Sequence, residues 1–212
     1  MIALKYALVV VVGYLLGSLN FSIIISKWML KKDIRSYGSG NAGSTNAFRM
    51  MGAKKTLLVM LGDMLKGIVG VLIAYFVFPS SGLMGSFPVF VAGFAVIVGH
   101  VFPLYFKFQG GKGILTTAAI LSLFDWRSLL VIFAIFLIAA VATKYVSLGS
   151  VLAAAAFPFT IIVLYPGKLE FILLSFVWGI GVIVLHRGNI KRLLTGTEKK
   201  FSFKQKTGGT AE

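Results

Sequence analysis

Residues 56–78, TLLVMLGDMLKGIVGVLIAYFVF, decide the fold class. A run this long and this apolar can cross a bilayer as one α-helix. Its charged exceptions, Asp63 and Lys66, stand three apart and so share a helical face. Charges inside a membrane helix are costly and turn toward the protein interior rather than lipid. The two read either as a structural pair that orients the helix or as groups with a role beside a polar loop.

Comparable runs occupy residues 3–26, 88–106, 114–124 (short), 128–143, 148–165 and 169–185. With 58% hydrophobic and 13% charged residues, a soluble domain of this size could not hide its apolar surface. Continuous apolarity, without period-two alternation, argues against an outer-membrane barrel. The expected architecture is all-α: a polytopic integral membrane protein with seven transmembrane helices in one domain, 1–198. A basic, flexible tail is expected over 199–212, with 207–212 reading as disordered. In the first span Gly13, Gly17, Ser18 and Asn20 suit helix–helix contact. No small-residue cleavage site follows it, so it reads as a retained helix rather than a signal peptide. The third span is expected to be interrupted at Gly99-His100 and at Pro103, and His100 reads as structural or as a support for a nearby site. The sixth carries Ser150 and a kinking Pro158.

A net charge of +15 could signal nucleic acid, anionic lipid or membrane orientation. Seven spans put the termini on opposite sides. Lys27, Lys31, Lys32, Arg35, Arg49, Lys54, Lys55, Lys107, Lys112, Lys144, Arg187, Lys191 and Arg192 then share one side, against Lys5, Arg127 and Lys168 on the other. The bias places the amino terminus outside and the carboxyl terminus in the cytoplasm. Orientation thus accounts for most of the charge, and the aromatic residues lie in the apolar spans, so nucleic acid is not expected as a partner. The absence of cysteine excludes disulfides, thiolate chemistry and cysteine-ligated metal. Two histidines and six acids leave little for any other metal site.

Three polar segments fall on the basic side. The first, GSGNAGSTNAFR at 38–49, has no aliphatic side chain larger than alanine. Its spaced glycines expose backbone N–H groups, and Ser39, Asn41, Thr45 and Asn46 add neutral donors and acceptors. Arg49 ends it with a fork suited to two phosphate or carboxylate oxygens. Together these describe an anion cradle; a plain flexible linker is the alternative. The second, KFQGGKG at 107–113, opens a helix, where free N–H groups and the positive dipole end also favour an anion. GGKG alone is a weak signal and lacks full P-loop spacing. The third is HRGNIKR at 186–192. Taken singly, Arg49 or Lys112 could be a positive-inside anchor, His186 a helix-end cap and Asn189 a turn former. Their joint placement instead suggests a site for a phosphorylated, water-soluble molecule beside a route for a lipid chain. A transporter of phosphate-bearing solutes would share such loops, but no internal repeat is present. A structural subunit without a site is the other alternative.

The same segments resemble a known family. GSGNAGSTNAFR, then GHVFPLYFKFQGGKG at 99–113 with Thr116 after it, then HRGNIKRLLTGTE at 186–198 are similar to the three signature segments of the bacterial acyl-phosphate:glycerol-3-phosphate acyltransferase (PlsY) family. YVSLGS at 145–150, which contains Ser147, looks like a fourth shared segment. The likeness runs from about the first span to Glu198. Leu115 departs from the small residue usual there.

The resemblance implies acyl transfer from acyl phosphate to the 1-hydroxyl of sn-glycerol 3-phosphate, giving 1-acylglycerol 3-phosphate and phosphate. This is an early step of phospholipid synthesis at the cytoplasmic face of the bacterial inner (plasma) membrane. Implied partners are glycerol 3-phosphate, long-chain acyl phosphate, membrane lipid and the soluble enzyme that makes acyl phosphate; no cofactor or metal is called for. The implied substrate-binding residues are Ser39, Gly40, Asn41, Thr45, Arg49, Gly110, Gly111, Lys112, Gly113 and Ser147. His186, Asn189 and Asn46 are the catalytic candidates. No Ser–His–Asp arrangement is visible, and an acyl phosphate is already activated, so direct attack is expected. In that scheme Lys112, Arg49 and Ser39 hold phosphates. Asn46, Asn189 and loop N–H groups meet the developing oxyanion, each donor contributing about 3 kcal/mol. The proton goes to a phosphate oxygen, whose second pKa is about 6, or to His186; phosphate is favoured as base and His186 as positioner.

Overall fold

Asn20 divides the first apolar run in two. In the computed structural model, which describes residues 1–201, helix α1 covers Ile2–Gly17 and α2 covers Phe21–Leu30. Asn20 caps α2, its Oδ1 accepting from the Ile23 amide at 3.1 Å. A single helix over 3–26 is therefore not what forms: a side-chain acceptor starts a second helix where the apolar pattern alone would continue the first. Of the flexible tail expected over 199–212, residues 202–212, and with them the expectation of disorder over 207–212, lie outside the described residues.

The second span is longer than its apolar pattern. Helix α3, Ser44–Val77, begins inside the polar segment and is broken at Gly52, which has φ 76° and ψ 177°. Only glycine adopts that conformation readily. Helix α4, Phe87–Val101, is followed by a short 3-10 turn at Leu104–Phe106. Pro103 marks the expected interruption, but Gly99-His100 does not break α4. Instead Gly99 permits close approach of α1, since a Cβ there would lie 2.2 Å from the Tyr14 carbonyl oxygen. Helices α5 (Ile114–Phe124), α6 (Trp126–Thr143), α7 (Val146–Leu164, with Pro158 inside) and α8 (Leu169–Leu185) follow the expected bounds within two residues. The third polar segment is also helical: α9, Arg187–Leu194, bends away from α8 by 56°.

Among the described residues, five helical stretches are long and apolar enough to cross a membrane, or six if the bent α8–α9 pair counts as one. Helix α5, with 11 residues, reaches only about 16 Å, roughly half a hydrocarbon core. Helix α1 packs along α4, α3 packs against both and against α5, and α6, α7 and α8 pack in succession beside them. Between these groups Phe90, Phe124 and Phe171 form a ring cluster with centroids 4.8–5.6 Å apart. Helix α6 leaves Leu130, Ile138 and Val141 exposed, as a lipid-facing helix would.

One buried polar cluster joins the inner helices. The Lys66 ammonium lies 2.8 Å from Asp63 Oδ1 and 2.9 Å from His100 Nδ1. It also donates to the carbonyl oxygens of Gly17 at 3.0 Å and Leu19 at 2.8 Å, which the break between α1 and α2 leaves unpaired by helix. The Asp63–Lys66 pair thus has a structural duty, and His100 shares it. Lys66→Met would strand Asp63 and two carbonyls, that of Gly17 buried and that of Leu19 partly so. Thermal unfolding in detergent should show a loss of about 3–5 kcal/mol.

Candidate active site

The first polar segment is folded around Asn46. Gly38 and Gly40 take left-handed backbone, φ 59° and 71°, turning the chain back toward the start of α3. Asn46 Oδ1 accepts from the Ser39 amide at 3.1 Å, and Nδ2 donates to the carbonyls of Tyr37 (2.8 Å) and Ile34 (3.1 Å). Both amide protons and the oxygen of Asn46 are thereby engaged. It braces the loop and has no donor left for an oxyanion, contrary to the role its sequence position suggested. Ser44 and Thr45 occupy the first turn of α3, at the positive dipole end.

The glycine-rich segment 107–113 divides in the same way. The amides of Gly110 and Gly111 donate to Val101 and His100 carbonyls, both at 3.1 Å, and neither residue lines the cavity described below. They serve close packing rather than phosphate. A Cβ at 110 would lie 2.0 Å from the His100 carbonyl oxygen, and one at 111 would lie 2.6 Å from the Ala42 oxygen. Ala42 also accepts from Asn20 Nδ2 at 3.3 Å, so the two glycine loops and the α1–α2 break are fastened together. Lys112 and Gly113, by contrast, face the cavity.

The third segment meets Lys112 through α9. The Lys112 ammonium donates to Asn189 Oδ1. Glu198 gathers the neighbours: Oε1 accepts from Asn189 Nδ2 and from Ser147 Oγ, each at 2.7 Å, and Oε2 from Arg192 Nε at 2.7 Å. From sequence alone, Glu198 is assigned no role. The usable signal was that it is the one acid within the three matching segments. Burial works to raise the Glu198 carboxyl, but hydrogen bonds from Ser147, Asn189 and Arg192 hold it below its ordinary value. Burial pushes the Lys112 ammonium down to about 8, opposed by Glu198 and aided by Arg192. Burial, with Lys112 next, takes His186 down to about 4, so the ring is neutral at pH 7. Its Nδ1 lies 2.8 Å from the Val182 carbonyl oxygen, which can only accept. The ring proton therefore sits on Nδ1 and leaves a lone pair on Nε2.

These groups line a cavity of about 900 Å³. Ser39, Gly40, Asn41, Thr45, Asn46, Arg49, Lys112, Gly113, Ser147, His186 and Asn189 all contribute to its wall, and of the residues singled out from sequence Gly110 and Gly111 do not. Arg49 is half-buried, and among the described residues no carboxylate pairs with it. Arg187, Arg192 and Glu198 also reach the polar end, Asp63, His100, Thr116 and Thr117 line the wall further in, and apolar side chains make up much of the remainder. Leu129, Ile132, Phe133 and Phe136 present one face of α6, and Phe157 and Trp178 come from α7 and α8. No cluster of three potential metal ligands occurs among the described residues.

Fold and cavity together define an α-helical integral membrane protein with a cationic site continuous with an apolar groove. Residues 7–196 match the family model for glycerol-3-phosphate acyltransferase. A glycerol-3-phosphate acyltransferase of Chlorobaculum tepidum is 38% identical, with 96% of this chain and 99% of the relative covered. Glycerol-3-phosphate acyltransferase 2 of Bacillus anthracis is 39% identical, with 91% and 97% covered. Among solved structures, PlsY (YgiH), an integral membrane glycerol 3-phosphate acyltransferase, in its glycerol 3-phosphate form superposes with a TM-score of 0.82 at 36% identity, covering 93% of this chain and 96% of that one. Its lysophosphatidic acid form gives 0.80 at 34% identity, covering 94% and 97%. The chain belongs to the glycerol-3-phosphate acyltransferase family.

Removing the Glu198 carboxylate would leave Ser147, Asn189 and Arg192 without their shared acceptor. Glu198→Ala should lose about 2–3 kcal/mol in thermal unfolding, and Glu198→Gln, which keeps one acceptor oxygen, less.

Proposed function

We propose that this protein moves a fatty acyl group from acyl phosphate to the 1-hydroxyl of sn-glycerol 3-phosphate, releasing lysophosphatidate and phosphate. The observation that carries this reading is the single cavity, cationic and polar at one end and apolar at the other. An acyl phosphate needs both ends at once, and glycerol 3-phosphate needs only the first. The ligands in the two PlsY structures, glycerol 3-phosphate and lysophosphatidic acid, are an acceptor and a product of this kind. The proposed topology is seven passes, with α5 as a short fourth, the amino terminus outside and the cavity opening to the cytoplasm. It is supported by the gathering of Arg49, Lys112, Arg187 and Arg192 at one end of the helices, the side the positive-inside bias makes cytoplasmic.

Arg49 and Lys112 supply full positive charge for the phosphates, with Ser39, Asn41 and Thr45 adding hydrogen bonds. The neutral Nε2 of His186 accepts from the glycerol 1-hydroxyl and aims its oxygen at the acyl carbon. Asn189, one of whose two amide protons goes to Glu198, has the other for the developing oxyanion. The new C–O bond forms from glycerol as the bond from carbonyl carbon to phosphate oxygen breaks. As the hydroxyl oxygen attacks, its proton turns from His186 Nε2 to an oxygen of the leaving phosphate, which departs as hydrogen phosphate. With a conjugate acid near 4, His186 is a weaker proton acceptor than a phosphate oxygen, whose second pKa is about 6.

Purified protein in detergent should convert acyl phosphate and glycerol 3-phosphate to lysophosphatidate with equimolar phosphate release, and should leave acyl-CoA untouched. Dependence on acyl-CoA, or no turnover without a sealed compartment, would overturn the reading. His186→Gln should keep more than about one-hundredth of the rate; complete loss with normal glycerol 3-phosphate binding would make the histidine the base. Lys112 carries its charge below about pH 8 and loses it above. Glycerol 3-phosphate binding, followed by calorimetry, should therefore weaken above pH 8, toward about tenfold per pH unit. Lys112→Arg should flatten that alkaline limb.

A further inference from the structure

Along α7 the cavity is lined by Val146, Ser147, Ser150, Ala153, Ala154 and Phe157. From Ser147 to Ala154 these side chains are small, and Phe157, the last of them and the largest, ends the lined stretch. From Ser147 to Phe157 the helix rises about 15 Å, close to half the ~30 Å hydrocarbon core and so to the depth of one leaflet. Phe157 is buried, and Trp178 of α8 stands beside it in the same wall. Behind that wall lies a second, much smaller apolar void of about 20 Å³, reached from Phe90, Phe94 and Ile97. Thr117, Phe157 and Trp178 border both spaces. Across the channel Ala118 of α5 offers only a methyl group.

We propose that Phe157, backed by Trp178, is the stop against which the methyl end of the acyl chain rests, and that it sets the length of chain the protein accepts. The proposal rests on the acyl-transfer reading above. Opening the wall joins the void to the groove and gives further methylenes a dry place. Narrowing the groove at Ala118 denies room to chains that now fit. A hydrophobic pocket discriminates about tenfold or more per methylene gained or lost.

The test is a homologous series of saturated acyl phosphates, assayed with glycerol 3-phosphate on the full chain in detergent. Phe157→Ala should move the optimum of kcat/KM to longer donors, raising at least one donor beyond the original optimum about tenfold relative to it. Ala118→Phe should move it the other way, with long donors losing about tenfold. The KM for glycerol 3-phosphate should stay as in the parent, because the polar end is untouched. Phe157→Leu and Ala118→Phe decide the matter if Phe157→Ala fails to fold. An unchanged length profile in active variants would mean that the chain leaves the groove sideways into lipid, and the stop is refuted. If the parent protein turns over no acyl phosphate of any length, the acyl-transfer reading itself falls, and the stop with it.

Discussion

A single buried ammonium holds the site-bearing half of this protein in register. Lys66 sits where α1, α3 and α4 meet and answers four oxygen and nitrogen atoms at 2.8–3.0 Å. Two are carbonyls made available because Asn20 starts a new helix. In lipid such carbonyls have no water to turn to, so their satisfaction by a charged donor matters more than it would at a wet surface. Through Asn20 the same junction grips Ala42 in the first glycine loop, and through His100 it lies against Gly111 in the second. The loops of the site are therefore fastened to a point inside the membrane domain.

From that anchor the polar residues divide into those that build the site and those left to act in it. Asn46, Gly110 and Gly111 are consumed in construction: every polar group they bring, or every ångström they save, is used by the backbone. Arg49, Lys112, His186 and Asn189 remain facing the cavity. Glu198 stands between, since it places Asn189 and Ser147 while tempering the charge of Lys112 and Arg192. A carboxylate among cations also limits mutual repulsion in a half-buried site, which would otherwise oppose folding.

The groove explains why this chemistry belongs in a membrane protein. Helix α6 contributes one apolar stripe to the cavity, packs against α7, and leaves Leu130, Ile138 and Val141 exposed. A chain lying along that stripe would exchange one apolar setting for another, at little cost in either direction. Binding strength would then come from the charged end, and discrimination from the shape of the apolar end.

The all-helical membrane fold, the helices at 114–124 and 169–185 and the three polar segments were legible in sequence, because apolar run length and local composition act without regard to distant residues. So was the set of cations available to a phosphate. The break at Asn20, the start of α3 at Ser44 and the helix at 187–194 were not. The carbonyls freed at Asn20 are met by Lys66, and Asn189 on the last helix by Lys112, both distant in sequence. Sequence determined which chemical groups could serve. Tertiary structure decided which of them were spent on holding the loops, because a hydrogen bond once given to the backbone is no longer available to a ligand.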